Sequence, residues 1–254
     1  MDHITSAKNP IVKDLRALRD HKGRVVSGRF LVEGEIMLRE ALKCGLTIRD
    51  VLAEEGFAPL AEELMASGAN AFIVPRSLLE AVSDTRTPQG ICASFDMPEP
   101  RPLEKAPNRI VALDGVQDPG NVGTIWRTAD AAGFNALLMG AGCADPLSPK
   151  VQRSAMGSGF RLPFMLTGDL PAALTRLRSR GWTVIASDLR GRDFYSHPDP
   201  GDKFVLVIGS EAHGIQDATR QAADMLLKLP MRGGAESLNA AVAAGIMMYE
   251  LTRD

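Results

Sequence analysis

The sequence predicts an α/β protein with two domains, the larger of which is built on a parallel β-sheet. Short apolar, strand-like runs alternate with helical stretches along the chain of 254 residues. In the second half these runs are almost continuously apolar, which is typical of strands covered on both faces. The proline-rich stretch "FDMPEPRPLEKAPN" interrupts the alternation and indicates a semi-rigid linker. We therefore predict a small domain over residues 1–97, a linker over 98–108 and a larger domain over 109–254.

The alternation can be followed element by element. In the first domain the strand-like runs are "FLVEG", "VLAEE", "AFIVP" and "ICASF", with helical stretches such as "EIMLREALKCG" and "APLAEELMASG" between them. In the second domain, strands are expected over 109–114, 136–140, 182–188, 203–209 and 225–230. Helices are expected at about 121–132, 149–157, 170–180 and 215–223, with a last one from residue 237. Asn121 and Ser237 stand where they could cap two of these helices.

The last helix carries no charged residue between Ser237 and Tyr249. A helix without a polar face is expected to be buried on all sides. Asn239 would then lie inside its buried first turn, where a carboxamide needs hydrogen-bond partners.

Composition limits the class of protein. No apolar run is long enough to cross a bilayer, and no signal peptide is visible. The three cysteines and four histidines show no spacing suited to a metal site or a disulfide framework. We therefore expect a cytoplasmic protein that binds neither metal nor membrane.

The net charge of −2 is unevenly distributed. Residues 1–30 hold seven basic and three acidic side chains, and residues 151–200, which include Arg153, hold seven and four. Lys13, Arg16 and Arg19 recur every three residues and would share one face of a helix. They form either a solvated helix face or a contact surface for the phosphates of a polyanion.

Polar residues stand at three strand ends, where parallel α/β domains bind their ligands. The stretch "DPGNVGTIWRTADAAGF" contains Asn121 and Arg127, and "IGSEAHGI" contains Glu211. The third, "LPMRGGAESLNAAVAAGI", contains Ser237 and Asn239. Each residue alone has an ordinary explanation as a helix cap or a surface ion pair, but the three stretches together point to one site.

These three stretches, in this order, resemble the signature motifs of the SpoU (TrmH-type) RNA ribose 2′-O-methyltransferases of the SPOUT superfamily. The N-terminal stretch "ITSAKNPIVKDLRALRDHKGRVVSGRFLVEG" resembles the L30e-like substrate-binding domain of many members. The resemblance implies a deep trefoil knot in the C-terminal domain, S-adenosylmethionine as cofactor, RNA as partner and a homodimer formed through the C-terminal domain.

The resemblance also implies roles for individual residues. The implied catalytic residues are Arg127, Asn121, Glu211, Ser237 and Asn239. The implied cofactor-binding residues are Met139, Gly140, Gly209, Ser210, Glu211, Leu229, Met231, Ser237 and Leu238. We expect Lys13, Arg16, Arg19, Arg127 and Arg153 to contact RNA. Arg127 acts either as a general base or as a clamp for phosphate and ribose, and the high pKa of guanidinium favours the clamp.

The expected activity is S-adenosylmethionine-dependent methylation of an RNA ribose 2′-hydroxyl, with ribosomal RNA of the 23S type favoured as substrate. The alternatives are a tRNA 2′-O-methyltransferase and a catalytically degenerate RNA-binding protein. A Rossmann-type methyltransferase or dehydrogenase is disfavoured, because no glycine-rich loop follows the first strand of the larger domain.

Overall fold

Strands and helices alternate through the computed structural model, which describes residues 1–83, 85 and 87–253. The strands are β1 (Asp2–His3), β2 (Arg29–Glu33), β3 (Ile48–Ala53), β4 (Asn70–Ile73), β5 (Ile91–Asp96), β6 (Arg109–Asp114), β7 (Ala136–Met139), β8 (Phe164–Leu166), β9 (Thr183–Asp193), β10 (Phe204–Gly209) and β11 (Met225–Lys228). The α-helices are α1 (Pro10–Ala17), α2 (His21–Ser27), α3 (Glu35–Lys43), α4 (Ala58–Ala66), α5 (Arg76–Val82), α6 (Pro119–Ala131), α7 (Pro149–Ala155), α8 (Ser158–Arg161), α9 (Leu170–Ser179), α10 (Asp217–Ala222) and α11 (Ala240–Leu251). Three short 3₁₀ helices lie at Glu55–Phe57, Leu103–Lys105 and Phe194–Ser196.

The chain forms two compact units, and the first comprises residues 1–99 together with 145–160. Its five-stranded sheet has the order β1-β4-β3-β5-β2. Strand β4 runs parallel to β1 and β3, whereas β5 runs antiparallel to β2 and β3. Helix α1 begins after Asn9, whose side chain accepts a hydrogen bond from the Ile11 amide. Leu15 of α1 and Leu79 of α5 then pack in the core of this unit.

The segment 145–160 completes the first unit from a distant part of the chain. Asp145 accepts hydrogen bonds from Arg24 Nη2 at 2.5 Å and His21 Nδ1 at 2.6 Å. The Phe160 ring lies 6.2 Å from the Phe30 ring, centroid to centroid. The predicted division placed this segment in the second domain because it follows the start of that domain along the chain. Its sequence does not indicate that Asp145 pairs with Arg24, 121 residues earlier. The domain boundaries stay a prediction.

The second unit comprises residues 100–144 and 161–254 and contains a six-stranded sheet. The strand order is β11-β9-β10-β6-β7-β8, and every neighbouring pair is parallel. Fully buried side chains such as Ile110, Leu138 and Val207 form its core with Leu174 of α9. The predicted parallel α/β architecture is therefore confirmed.

Two helices of the second unit begin at other residues than predicted. Helix α6 begins at Pro119, so its N-cap is Asp118, which accepts a hydrogen bond from the Asn121 amide at 2.8 Å. Proline suits the first helical position because its fixed φ matches the helix and it has no amide hydrogen to satisfy. Helix α11 begins at Ala240, and Asn239 is its N-cap. The predicted capping roles of Asn121 and Ser237 are therefore wrong.

Helix α11 also differs from its predicted burial. It packs against α6 and buries Ala244, Met247 and Met248. Its other face leaves a stripe exposed, consisting of Val242 (51%), Ile246 (38%) and Tyr249 (56%). The prediction of burial on all sides is therefore wrong for the single chain, because only half of the helix meets the core. Along residues 1–83, 85 and 87–253, no helix combines the length and apolar character needed to span a membrane.

Candidate active site

Three side chains from the predicted motifs meet at the carboxyl ends of neighbouring strands in the second unit. Asn121, in the first turns of α6, donates through Nδ2 to Glu211 Oε1 at 2.5 Å. Asn239, at the start of α11, donates through Nδ2 to Asn121 Oδ1 at 3.0 Å. Strands β6 and β10 are adjacent in the sheet, which brings the segments that follow them together. The motifs therefore form one hydrogen-bonded chain from Asn239 through Asn121 to Glu211.

The donor-to-acceptor direction of these hydrogen bonds is fixed by the two end residues, Asn239 and Glu211. Asn239 Oδ1 accepts hydrogen bonds from the Ala241 and Val242 amides at 2.9 and 3.2 Å, so its NH₂ group must face Asn121. An ionised Glu211 can only accept, so Asn121 presents its NH₂ group to it. Both carboxamides are therefore oriented, and Glu211 keeps a second carboxylate oxygen for another donor.

Arg127 lies on the same helix as Asn121 but points elsewhere. The side chains of Val122, Ile125, Trp126 and Ala129 are fully buried, and Trp126 Nε1 donates to the Leu162 carbonyl at 3.0 Å. Arg127 is exposed. Within the described part of the chain, its guanidinium forms no hydrogen bond or ion pair with protein atoms. The structure thus leaves all its donors available, and it does not join Arg127 to the three-residue chain.

A pocket of about 540 Å³ opens at the carboxyl ends of β9, β10 and β11. Seven of the nine residues predicted to bind the cofactor line it: Gly209, Ser210, Glu211, Leu229, Met231, Ser237 and Leu238. Ser237 is exposed rather than capping α11. Met139 and Gly140 do not line it. They are buried, and a methyl group at Gly140 would lie 3.1 Å from the Leu113 carbonyl oxygen.

One wall of this pocket was not predicted from the sequence. Ala186 of β9 pairs with Leu226 of β11, and the next pair joins Arg192 to Leu227, so residues 187–191 arch out of the ladder. At the foot of the arch, a methyl group on Gly191 would lie 2.5 Å from the Leu226 carbonyl carbon and oxygen. The arch carries residues 187–190 into the pocket lining. The arch can be recognised only from the pairing register of β9 with β11, and the pattern of apolar residues does not predict that register.

The arch is held by a charged contact. Arg220 of α10 donates through Nε to Asp188 Oδ2 at 2.7 Å, and the Arg190 amide donates to Asp188 Oδ1 at 2.8 Å. Partial burial alone would raise the pKa of Asp188, but these hydrogen bonds outweigh it and the pKa lies below its ordinary value. The hydrogen bond to Asp188 also raises the pKa of Arg220. Both groups therefore stay charged at neutral pH.

The predicted RNA-binding residues other than Arg127 belong to the first unit. Lys13 and Arg16 are exposed on α1. That helix ends at Ala17, so Arg19 lies beyond it and does not share a regular helix face with them. Arg153 is partly exposed on α7. Among the residues that the structure describes, no three His, Cys, Asp or Glu side chains are grouped as metal ligands.

Comparison with known proteins agrees with this fold. The SpoU rRNA Methylase family matches residues 108–249, and the MRM3-like substrate binding domain matches residues 9–93. The 23S rRNA (guanosine(2553)-2′-O)-methyltransferase RlmP of Bacillus subtilis (strain 168) is 38% identical over 251 residues, which cover 99% of both chains.

Solved structures resemble the chain over almost its whole length. The AdoMet-bound rRNA methyltransferase from Sinorhizobium meliloti is 33% identical, with a TM-score of 0.90 over 99% of this chain and 97% of that one. The SpoU methyltransferase AviRb from Streptomyces viridochromogenes, in complex with AdoMet, is 29% identical, with a TM-score of 0.87 over 97% and 98% of the chains. These matches show a methyltransferase, and the chain belongs to the SpoU rRNA methylase family.

Proposed function

We propose that this protein transfers a methyl group from S-adenosylmethionine to a ribose 2′-hydroxyl in ribosomal RNA of the 23S type. The observation that carries the proposal is the row of side-chain hydrogen bonds from Asn239 through Asn121 to Glu211, a residue that lines the pocket. The RlmP relative, named for this reaction on 23S rRNA, aligns over 99% of the chain.

The pocket suits S-adenosylmethionine in size and lining. Its volume of about 540 Å³ lies within the usual range for ligand sites. Leu229, Met231 and Leu238 offer apolar surface for an adenine ring, and Lys228 and Glu236 offer opposite charges for the zwitterionic amino-acid end. We propose that Met139 and Gly140, which are buried and do not line this pocket, support the site rather than contact the cofactor.

When bound, S-adenosylmethionine supplies an electrophilic methyl group on its sulfonium. The RNA 2′-hydroxyl oxygen would take that methyl group and release its proton to water, while the methyl–sulfur bond breaks to leave S-adenosylhomocysteine. The protein must align the hydroxyl and stabilise the charge that develops on its oxygen. We assign this to Arg127, whose donors are unpaired within the described part of the chain, as a clamp on phosphate and ribose. Asn121, Glu211, Ser237 and Asn239 shape the surface on which the ribose lies.

The alternative role for Arg127 is that of general base. A free guanidinium keeps its proton far above neutral pH, so removing that proton costs several kcal/mol. We therefore favour the clamp.

We propose that the first unit reads the RNA. Lys13, Arg16, Arg19 and Arg153 are all at least partly exposed on it. Replacing Lys13, Arg16 and Arg19 together with glutamine should weaken RNA binding and flatten its salt dependence, since fewer counterions are released. An unchanged salt slope would leave these charges as a solvated surface.

We further propose that the second unit contains the trefoil knot, that the protein is a homodimer, and that it acts in the cytoplasm. The knot and the L30e-like fold of the first unit rest on the family resemblance. The dimer is supported by the exposed stripe of Val242, Ile246 and Tyr249 on α11. Gly245, beside that stripe, lies against the Thr128 side chain, which puts the neighbouring Arg127 close to the proposed interface.

The test is to map ribose methylation in RNA from a strain that lacks the gene. One 2′-O-methyl group should disappear from large-subunit ribosomal RNA, and the purified protein with S-adenosylmethionine should restore it. Loss of a methyl group from tRNA instead would support the tRNA alternative, and no loss at any site would contradict the enzyme assignment.

A further inference from the structure

A buried carboxylate lies at the centre of the second unit and has no part in the mechanism above. Asp114 is the last residue of β6 and is 2% exposed. Gln216 donates to both of its oxygens, through the backbone amide to Oδ2 at 2.8 Å and through Nε2 to Oδ1 at 2.7 Å. Within the described residues, no cation forms an ion pair with it. Burying a carboxylate is costly unless hydrogen bonds compensate, so this contact is the main compensation that Asp114 has.

The contact closes the base of the loop that follows β10. Gly209 pairs with Asp114 in the sheet, and Ser210 and Gly214 then exchange two backbone hydrogen bonds, at 3.0 and 2.9 Å. A methyl group on Gly209 would lie 2.2 Å from the Gly214 carbonyl carbon, so the loop returns tightly on itself. Gln216 stands at the N-cap of α10, but its side chain reaches Asp114 and forms no cap.

The same aspartate also begins the segment that leads to α6. From Asp114 the chain passes through Asp118 to Asn121, whose side chain donates to Glu211 of the loop. Two covalent segments, 114–121 and 211–216, are thus joined at one end by Asn121 and Glu211 and at the other by Asp114 and Gln216. They form a closed ring, in which the position of Glu211 relative to Asn121 depends on the Asp114–Gln216 contact.

We propose that Asp114 is a positioning residue for methyl transfer. Its carboxylate fixes Gln216 and, through it, the loop that lines the pocket and carries Glu211. This inference rests on the proposed function, because it treats the Asn121–Glu211 region as the reaction site. The carboxylate suits this role because it offers one oxygen to each of the two donors of Gln216. An asparagine would offer one acceptor only, and the Gln216 carboxamide would have to turn over to accept from its NH₂ group.

The simplest test compares two variants of the full-length protein. One changes Gln216, which directly precedes α10, and the other changes Gln221, which lies within α10. Gln216→Ala removes one of the two hydrogen bonds to Asp114 from an exposed residue, so folding should survive. Gln221→Ala, also exposed, is the matched control. We expect Gln216→Ala to lower kcat, at saturating RNA and cofactor, by at least about fivefold, the lower end of the range for leaving a buried acceptor unpaired. Affinity for S-adenosylhomocysteine should fall as well, and Gln221→Ala should change neither quantity.

A side-chain exchange separates positioning from general stability. Gln216→Glu should lower kcat by at least about tenfold, since two carboxylates, which only accept hydrogen bonds, then oppose each other. Combining Asp114→Asn with Gln216→Glu restores a carboxylate and an amide in exchanged positions. We expect the double variant to recover kcat to within about threefold of wild type.

Three results would overturn the proposal: wild-type kcat and cofactor affinity in Gln216→Ala, wild-type kcat in Gln216→Glu, or a double variant that regains the wild-type melting temperature without regaining kcat. Failure of the proposed function is distinguishable, because the wild-type protein would then methylate no RNA. The effect of Gln216→Ala on S-adenosylhomocysteine binding would still test the loop.

Discussion

Arg127 is an exposed arginine that has no partner among the residues the structure describes, on a helix whose opposite face is fully buried. This combination separates its contribution to stability from its contribution to chemistry. The helix is fixed by Val122, Ile125 and Trp126, so the guanidinium can be changed without disturbing the core.

Arg127→Ala should therefore leave the melting temperature and cofactor affinity near wild type. Methyl transfer should fall at least about a hundredfold, the scale for losing a positioned electrostatic group. Arg127→Lys should restore little, because an ammonium cannot grip two oxygens with a planar fork. Single-turnover rates with saturating cofactor would measure this. An alanine variant that retains the wild-type rate would remove Arg127 from the mechanism.

Asn239 has two functions that mutation can separate. Its Oδ1 caps α11, and its Nδ2 donates to Asn121. Asn239→Ser should keep most of the cap but lose the second bond, whereas Asn239→Ala should also cost about 1 kcal/mol of stability. We expect slower methyl transfer in both variants and a lower melting temperature only in the alanine variant. Equal melting temperatures would show that the cap contributes little.

At the scale of single residues, the sequence predicts which residues belong to the site better than it predicts their contacts. The sequence motifs identified Asn121, Glu211 and Asn239 because polar side chains that follow parallel strands commonly form a ligand site. The Asp114–Gln216 contact joins residues 102 positions apart and has no local signal. The capping roles were misassigned because Asn121 and Asp118 are both good caps, and Pro119 decides between them.

Among the elements, the arch at residues 187–191 depends on Gly191, which leaves room for the backbone of β11 where the arch ends. Strand β9 was predicted to end near residue 188, since its apolar run stops there, yet it re-enters the ladder at Arg192. The strand positions followed from apolar runs, but the arch follows from pairing with β11, which no run of residues in β9 reveals.

Gly191→Ala should push β9 away from β11, because the added methyl group meets backbone that has no flexible end to move. We expect a loss of roughly 1–3 kcal/mol in unfolding free energy and weaker binding of S-adenosylhomocysteine. Gly168→Ala is the control, since nothing lies within 4 Å of its added methyl group. Denaturant unfolding and calorimetric titration would measure both effects. Unchanged cofactor affinity would mean that the arch does not shape the site.

For the whole molecule, the exposed stripe on α11 supports the proposed homodimer. Val242, Ile246 and Tyr249 recur at helical spacing on one face, and such apolar stripes mark interaction surfaces. A second copy of the same stripe would satisfy it through twofold symmetry.

Val242→Asp combined with Ile246→Asp should raise the dimer dissociation constant at least about a hundredfold, because unpaired carboxylates would be buried. Val26→Asp, at an equally apolar but more exposed position of the first unit, should have no effect. Sedimentation at micromolar concentration would distinguish them. A wild-type protein that sediments as a monomer would contradict the dimer.

The first unit is assembled from two pieces of chain, and this affects its synthesis. When Glu99 has left the ribosome, the unit still lacks residues 145–160, including the Asp145 carboxylate that pairs with buried Arg24. The ribosome must add 61 more residues before Phe160 emerges in its turn, which takes about 3–12 s at roughly 5–20 residues/s. During that interval the nascent N-terminal part presents an unfinished surface to chaperones and proteases. A pause in translation between residues 100 and 144 would prolong that exposure.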